Sequence, residues 1–122
     1  MADVKTVSPS ARMVLKKNTN ITIYDQKFNP DPSSHTEHVS QVLVVSTNTS
    51  QTLDQGTIST IRNVLLQSDK AVVLNFNGGT DDIDLTANGT LFMAACNLSA
   101  IKVVNESTTA DDDATITYMV TD

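Results

Sequence analysis

Residues 71–79 read AVVLNFNGG. In an extended chain successive side chains point to opposite sides, so Val72, Leu74 and Phe76 share one face. The Asn77-Gly78-Gly79 step that follows offers residues tolerant of positive φ, which a tight hairpin reversal needs. The stretch predicts a strand that ends in a sharp turn.

Working outward, the same grammar repeats. Downstream, Ile83 and Leu85 alternate with acidic residues, and Ala87-Asn88-Gly89 is a second turn of the Asn-Gly type. Residues 90–96 (TLFMAAC) and 99–105 (SAIKVVN) read as strands, the latter pairing Ile101 with Val103. A polar, acidic loop spans 105–113, and residues 114–121 (ATITYMVT) alternate well, with Ile116, Tyr118 and Val120 on one side. Upstream, residues 62–67 supply Val64, Leu65 and Leu66, and Leu53, Ile58 and Ile61 flank Gly56, which marks a bend or bulge. In residues 39–46 (VSQVLVVS) both parities are apolar from Val42 to Val45, the pattern of a strand covered on both faces. Residues 47–50 read as a turn, and 20–24 (NITIY) as the first strand. Together these give about eight short strands, with turns spaced roughly ten residues apart in the second half. The expected fold is all-β, an antiparallel β-sandwich, either immunoglobulin-like or jelly-roll-like.

Composition agrees. Among 122 residues there are 17 Thr, 11 Ser and 10 Asn, while aromatics reach only 4% and Trp is absent. Such a mixture favours strands and turns over helices. The length fits one domain. A net charge of −6 argues against a nucleic-acid partner, which calls for clustered Lys and Arg. The longest apolar runs fall far short of the roughly 20 residues of a membrane helix. The N-terminus has no central apolar run, so no signal peptide is expected there. Cys96 is the sole cysteine, which excludes an intrachain disulfide and suits a reducing compartment.

The N-terminal residues 1–19 lack a clear period and carry Lys5, Arg12, Lys16 and Lys17. They are expected to form an extended basic arm, with residues 20–122 as a single sandwich domain. A basic arm on an acidic body suits docking onto a neighbouring subunit. Pro30 and Pro32 flank Asp31, which blocks a helix and opens a loop of roughly 12 residues, a length often functional in a small domain.

The candidate chemical sites are thin. His35 and His38 flank Glu37, but in a loop and without metalloprotease spacing. A metal there would need oligomer symmetry to bring several copies together. Residues 81–84 and 111–113 form acidic clusters without EF-hand spacing, so solvated charge is the default over a calcium site. Cys96, beside Ala94 and Ala95, reads as a buried structural thiol. Five Asn-x-Ser/Thr sequons, at Asn20, Asn48, Asn88, Asn97 and Asn105, follow from the composition. No catalytic residue, cofactor site or metal site is expected.

One resemblance carries the functional reading. Residues 53–56, then 62–69 (RNVLLQSD), 72–76 (VVLNF), 87–92 (ANGTLF), 100–105 (AIKVVN) and the alternating strand that ends at Thr121-Asp122 follow a recognisable order. That order of strands and turns resembles small β-sandwich virion proteins of tailed bacteriophages. It spans residues 53–122 and contains no catalytic motif; the arm and the 29–38 loop lie outside it. The resemblance implies a non-enzymatic structural part of a virion, assembled in the host cytoplasm. The specific expectation is a capsid decoration or cement protein that self-associates as a trimer or dimer. Its partners would be the major capsid protein or other virion proteins, with neither nucleic acid nor membrane. The expected assembly contacts are Arg12, Lys16, Lys17, Phe28, Pro30 and Pro32, because extended segments clamp well across subunits. One alternative is a tail, neck or fibre component in low copy number. Another is a carbohydrate- or host-surface-binding module, disfavoured because only Tyr24 and Tyr118 could serve as sugar platforms.

Overall fold

The computed structural model describes residues 5–17, 21–28, 33–35, 37–80 and 82–122. All the strands and helices among them are β-strands. In chain order they are β1 (Lys5–Val7), β2 (Ala11–Lys17), β3 (Ile21–Phe28), β4 (Ser33–His35), β5 (His38–Val45) and β6 (Thr49–Thr52). The rest are β7 (Asn63–Ser68), β8 (Val72–Phe76), β9 (Ile83–Leu85), β10 (Thr90–Met93), β11 (Ile101–Asn105) and β12 (Ala114–Thr121).

β5 to β12 build two four-stranded antiparallel sheets, ordered β10-β7-β12-β5 and β6-β11-β8-β9. Four of the pairs, β5/β12, β6/β11, β7/β10 and β8/β9, nest inside one another like one long hairpin folded over itself. The folding-over adds two further pairs, β7/β12 and β8/β11. Counted from one to eight along the chain, the sheet orders are 6-3-8-1 and 2-7-4-5. This is the jelly-roll solution of an antiparallel sandwich, and it differs from the ABED and CFG sheets of an immunoglobulin domain.

The core lies between the sheets. Alternation decides who enters it: along β12, Ala114, Ile116, Tyr118 and Val120 are buried while Thr117 and Met119 are exposed. Val64 and Leu66 from β7, Leu74 from β8, and Ile101 and Val103 from β11 meet them. Each fully buried Leu or Ile contributes about 1.5–3 kcal/mol by leaving water. Leu53, Ile58 and Ile61 also reach the core, from a non-strand segment in which Gly56 turns the chain at φ +58°. Ile61 and Leu98 exchange backbone bonds of 2.7 and 3.0 Å.

Buried polar groups are satisfied where strands end. Asn105 is 1% exposed. Its Nδ2 donates to the carbonyls of Val45 (3.1 Å) and Asp112 (2.9 Å), and its Oδ1 accepts from Ser107 N–H. It thereby ties the end of β11 to β5 and to the acidic loop. At the β8–β9 tip, Asn77 and Gly78 have φ of 55° and 80°, and Gly79 N–H donates to the Phe76 carbonyl at 2.8 Å. Two consecutive positive φ angles make this a type I′ turn, the form whose twist matches a hairpin. The Asn77 side chain then accepts from Ser99 N–H at 2.6 Å and pins the tip to the neighbouring loop.

Several expectations are corrected. Residues 49 and 50, expected within the 47–50 turn, open β6 (Thr49–Thr52); its sequence TSQT is exposed throughout, so no apolar period could reveal it. The supposed 29–38 loop contains β4 and the first residue of β5. The N-terminal arm is not aperiodic: β2 pairs with β3, and β1 with β4, in two-stranded ribbons separate from the sandwich sheets. The strand expected at 20–24 extends to Phe28 and belongs to this ribbon, so the boundary drawn between 19 and 20 falls between two paired strands. Among the described residues, the Val42–Val45 stretch of β5 is covered on one face only. Val45 is buried, while Val42 and Val44 are 64% and 50% exposed.

Candidate functional site

The ribbon concentrates most of the expected contact residues. Its register pairs Ala11 with Phe28, Arg12 with Lys27 and Met13 with Gln26. Directly opposed residues of an antiparallel pair share a face. Ala11, Met13 and Phe28 therefore lie on one side, and Arg12 and Lys27 on the other. Met13 is 70% exposed and Phe28 60%. Lys16 and Lys17 close β2, in register with Thr22 and Ile21. The structure thus brings Arg12 and Phe28 into neighbouring rungs of one ladder and puts Lys16 and Lys17 on the same strand. Pro30 and Pro32 lie outside the described residues.

The charge splits with the fold. Residues 1–35 hold five basic and three acidic residues, a net of +2. Residues 36–122 hold three basic and eleven acidic residues, a net of −8.

A second surface went unrecognised in the sequence. On the outer side of the β10-β7-β12-β5 sheet, register aligns Phe92, Leu65, Met119 and Ser40 in one row across the four strands. Leu65 and Met119 remain 47% and 40% exposed. Val42 and Val44 continue the apolar strip along β5, one of the two edge strands of this sheet among the described residues. The signal was present in the unbroken apolar run Val42–Val45, which an edge strand with one uncovered face explains as well as a central one. Residues 6, 8, 9 and 10 lie over the lower part of this face and enclose a groove of about 570 Å³ with Leu65, Phe92 and Met119.

Carboxylates rim both ends of the β5/β12 pair. At one end Asp122 Oδ1 accepts from Glu37 N–H at 3.1 Å, and Glu37 accepts from the Thr57 hydroxyl. At the other, Asp113 accepts from Thr47 N–H, Asp69 accepts from Thr115 N–H at 2.7 Å, and Asp112 pairs with Lys70 at 3.4 Å. The Ser107 hydroxyl, with Lys70 second, holds the Asp112 carboxyl below the usual carboxylate range. Asp54 is lowered in the same direction by the Gly56 N–H and then by Gln41. These acids cap turns and loop ends. The expected acidic cluster at 81–84 behaves likewise: Asp82 accepts from Phe76 N–H at 2.7 Å, while Asp81 lies outside the described residues.

The remaining candidates are dispersed. His35 sits on β4 and His38 on β5. Among the described residues no group of three or more metal-ligating side chains gathers. Cys96 is half-buried rather than buried, with its thiol 3.5 Å from the Ile61 carbonyl, and desolvation pushes its pKa up. A raised thiol pKa leaves it a poor nucleophile near neutral pH. Tyr118 is a core residue whose hydroxyl donates to the Asp54 carbonyl at 2.8 Å, so it offers no sugar platform.

No protein family matches the chain, and neither curated proteins nor solved structures give a match.

Proposed function

We propose that this chain is a non-enzymatic structural component of a tailed-phage virion, and specifically a decoration protein that binds the capsid lattice and self-associates. The observation that carries the reading is the N-terminal ribbon, which stands outside both sandwich sheets and presents Met13 and Phe28 to solvent. Apolar side chains on an exposed ribbon lose free energy only when a partner covers them. The strand-and-turn order of residues 53–122 supports the virion context, and jelly rolls are a frequent architecture of capsid proteins, though also of lectins and cupins. The mechanism is mechanical: each copy bridges lattice subunits, and binding to the assembled state raises the cost of separating them.

The test has two parts. Quantitative mass spectrometry of purified particles gives the copy number relative to the major capsid protein. A number comparable to that protein supports decoration, and one lower by about an order of magnitude or more moves the chain to neck, tail or fibre. Co-sedimentation with undecorated capsid shells then compares the full chain with a variant lacking residues 1–19. Unchanged binding without the arm overturns the proposed contact.

A further inference from the structure

We infer that the outer face of the β10-β7-β12-β5 sheet, along Val42 and Val44, receives the β2–β3 ribbon of a second copy of this chain. The inference deepens the self-association in the proposed function by naming both halves of its interface.

Four observations converge on this pairing. First, two apolar patches are uncovered among the described residues: Met13 and Phe28 on the ribbon, Val42 and Val44 on the sheet. The chain does not bring them together, since all four are at least half exposed. Second, the dimensions agree. β2, β3 and β5 have 7, 8 and 8 residues, so each spans roughly 25 Å at about 3.3 Å per residue. Third, the charges are complementary. The ribbon belongs to a segment of net +2 and the sandwich to one of net −8. Its carboxylates flank the strip at both ends, Glu37 and Asp122 at one and Asp69 and Asp113 at the other. Opposite net charges draw the two segments together at long range, while Arg12 and Lys27 stay on the ribbon face turned away from the apolar contact. Fourth, residues 6–10 already lie on this same face of their own chain, over Leu65 and Met119. In the ribbon that follows, Met13 is exposed.

A long edge strand with exposed valines is also a liability that natural proteins cover or blunt. A neighbour's ribbon covers it. Because ribbon and strip are different patches, each copy both gives and receives, so the contact is head-to-tail: it closes as a dimer or ring if the rotation between copies allows and grows as an open chain if it does not.

Sedimentation velocity of the purified full chain is the test, with no capsid present. The unmodified chain is expected to associate at micromolar concentrations. A ribbon variant, Met13→Ser with Phe28→Ser, and a strip variant, Val42→Asp with Val44→Asp, are each expected to raise the dissociation constant by about tenfold or more. Mixing the two variants is the decisive step. The mixture retains one intact ribbon and one intact strip, so association returns, weaker than in the unmodified chain. Symmetric packing of strip against strip, or of ribbon against ribbon, gives no such rescue and overturns the inference. So does a monomeric unmodified chain, or variants that associate as before. If the aspartate variant loses its strand circular dichroism, Val42→Thr with Val44→Thr keeps the β-branched shape and carries the same test. Lost binding to capsid shells with intact self-association overturns the virion role and leaves this interface standing.

Discussion

The ribbon and the jelly roll use the same local material to opposite ends. β2 alternates Ala11, Met13 and Leu15 with Arg12, Val14 and Lys16, and β12 alternates Ile116, Tyr118 and Val120 with Thr115, Thr117 and Met119. In β12 the apolar set is 0–2% exposed because a second sheet lies over it. In the ribbon Met13 is 70% exposed, because among the described residues no second layer lies over it. Period-2 alternation therefore states that a strand has an apolar side. It does not state that this chain covers that side. A two-stranded ribbon is marginal alone in water, so the comparison identifies the region whose stability depends on a partner.

The comparison breaks most sharply on cavities. Leu74→Ala removes a fully buried side chain and is expected to cost about 2–5 kcal/mol. Met13→Ala is expected to stay within about 0.5 kcal/mol for the free chain. Urea denaturation followed by circular dichroism measures both, and equal losses would mean that the ribbon is part of the cooperative core.

Asn105→Ala comes next. It leaves the Val45 and Asp112 carbonyls and the Ser107 N–H without their partner, for an expected loss of about 2 kcal/mol. The same denaturation series should place it between Leu74→Ala and the ribbon variants.

Gly78→Ala probes the tip of the folded hairpin. There is open space for the added Cβ, but φ is +80°. The expected cost of about 1 kcal/mol is therefore backbone strain alone. A neutral result in thermal unfolding would show that the turn relaxes freely.

The smallest effect is on pH. Burial raises the pKa of Cys96, and burial followed by the Asp54 charge raises that of Tyr118. Both groups bind their proton more tightly folded than unfolded. Their contribution is full below about pH 9 and is lost as pH rises through the raised values. Asp54 and Asp112 are lowered instead, so their contribution is present above the ordinary carboxylate range and lost as pH falls below it. Unfolding temperature against pH should decline on both sides, and Cys96→Ser should flatten the onset of the alkaline side. An alkaline limb identical in that variant would assign it to Tyr118.

Much of the fold was legible because its signals are local. The strands at residues 72–76, 83–85, 90–93, 101–105 and 114–121 lie within the stretches where alternation and Asn-Gly turns put them. β6 was not legible, since an exposed edge strand of Thr, Ser and Gln has no apolar side to report. β2 had a readable period, masked by the charges of Arg12, Lys16 and Lys17. On the candidate site, sequence pointed to Arg12 and Phe28 but missed the strip at Val42 and Val44, where an apolar run reads alike whether the second face is covered or open.

By itself, then, the sequence determined the all-β class, the Asn-Gly turns, the inward-facing residues of the alternating strands in the second half and the separation of basic from acidic charge. These depend on neighbours two to four residues apart. Only the tertiary structure decided the jelly roll over the immunoglobulin order, placed β2 against β3, and left Val42, Val44, Met13 and Phe28 open. Strand pairing joins residues as distant as His38 and Thr121, and the free energy that selects such partners comes from covering two whole faces at once, which no local pattern encodes.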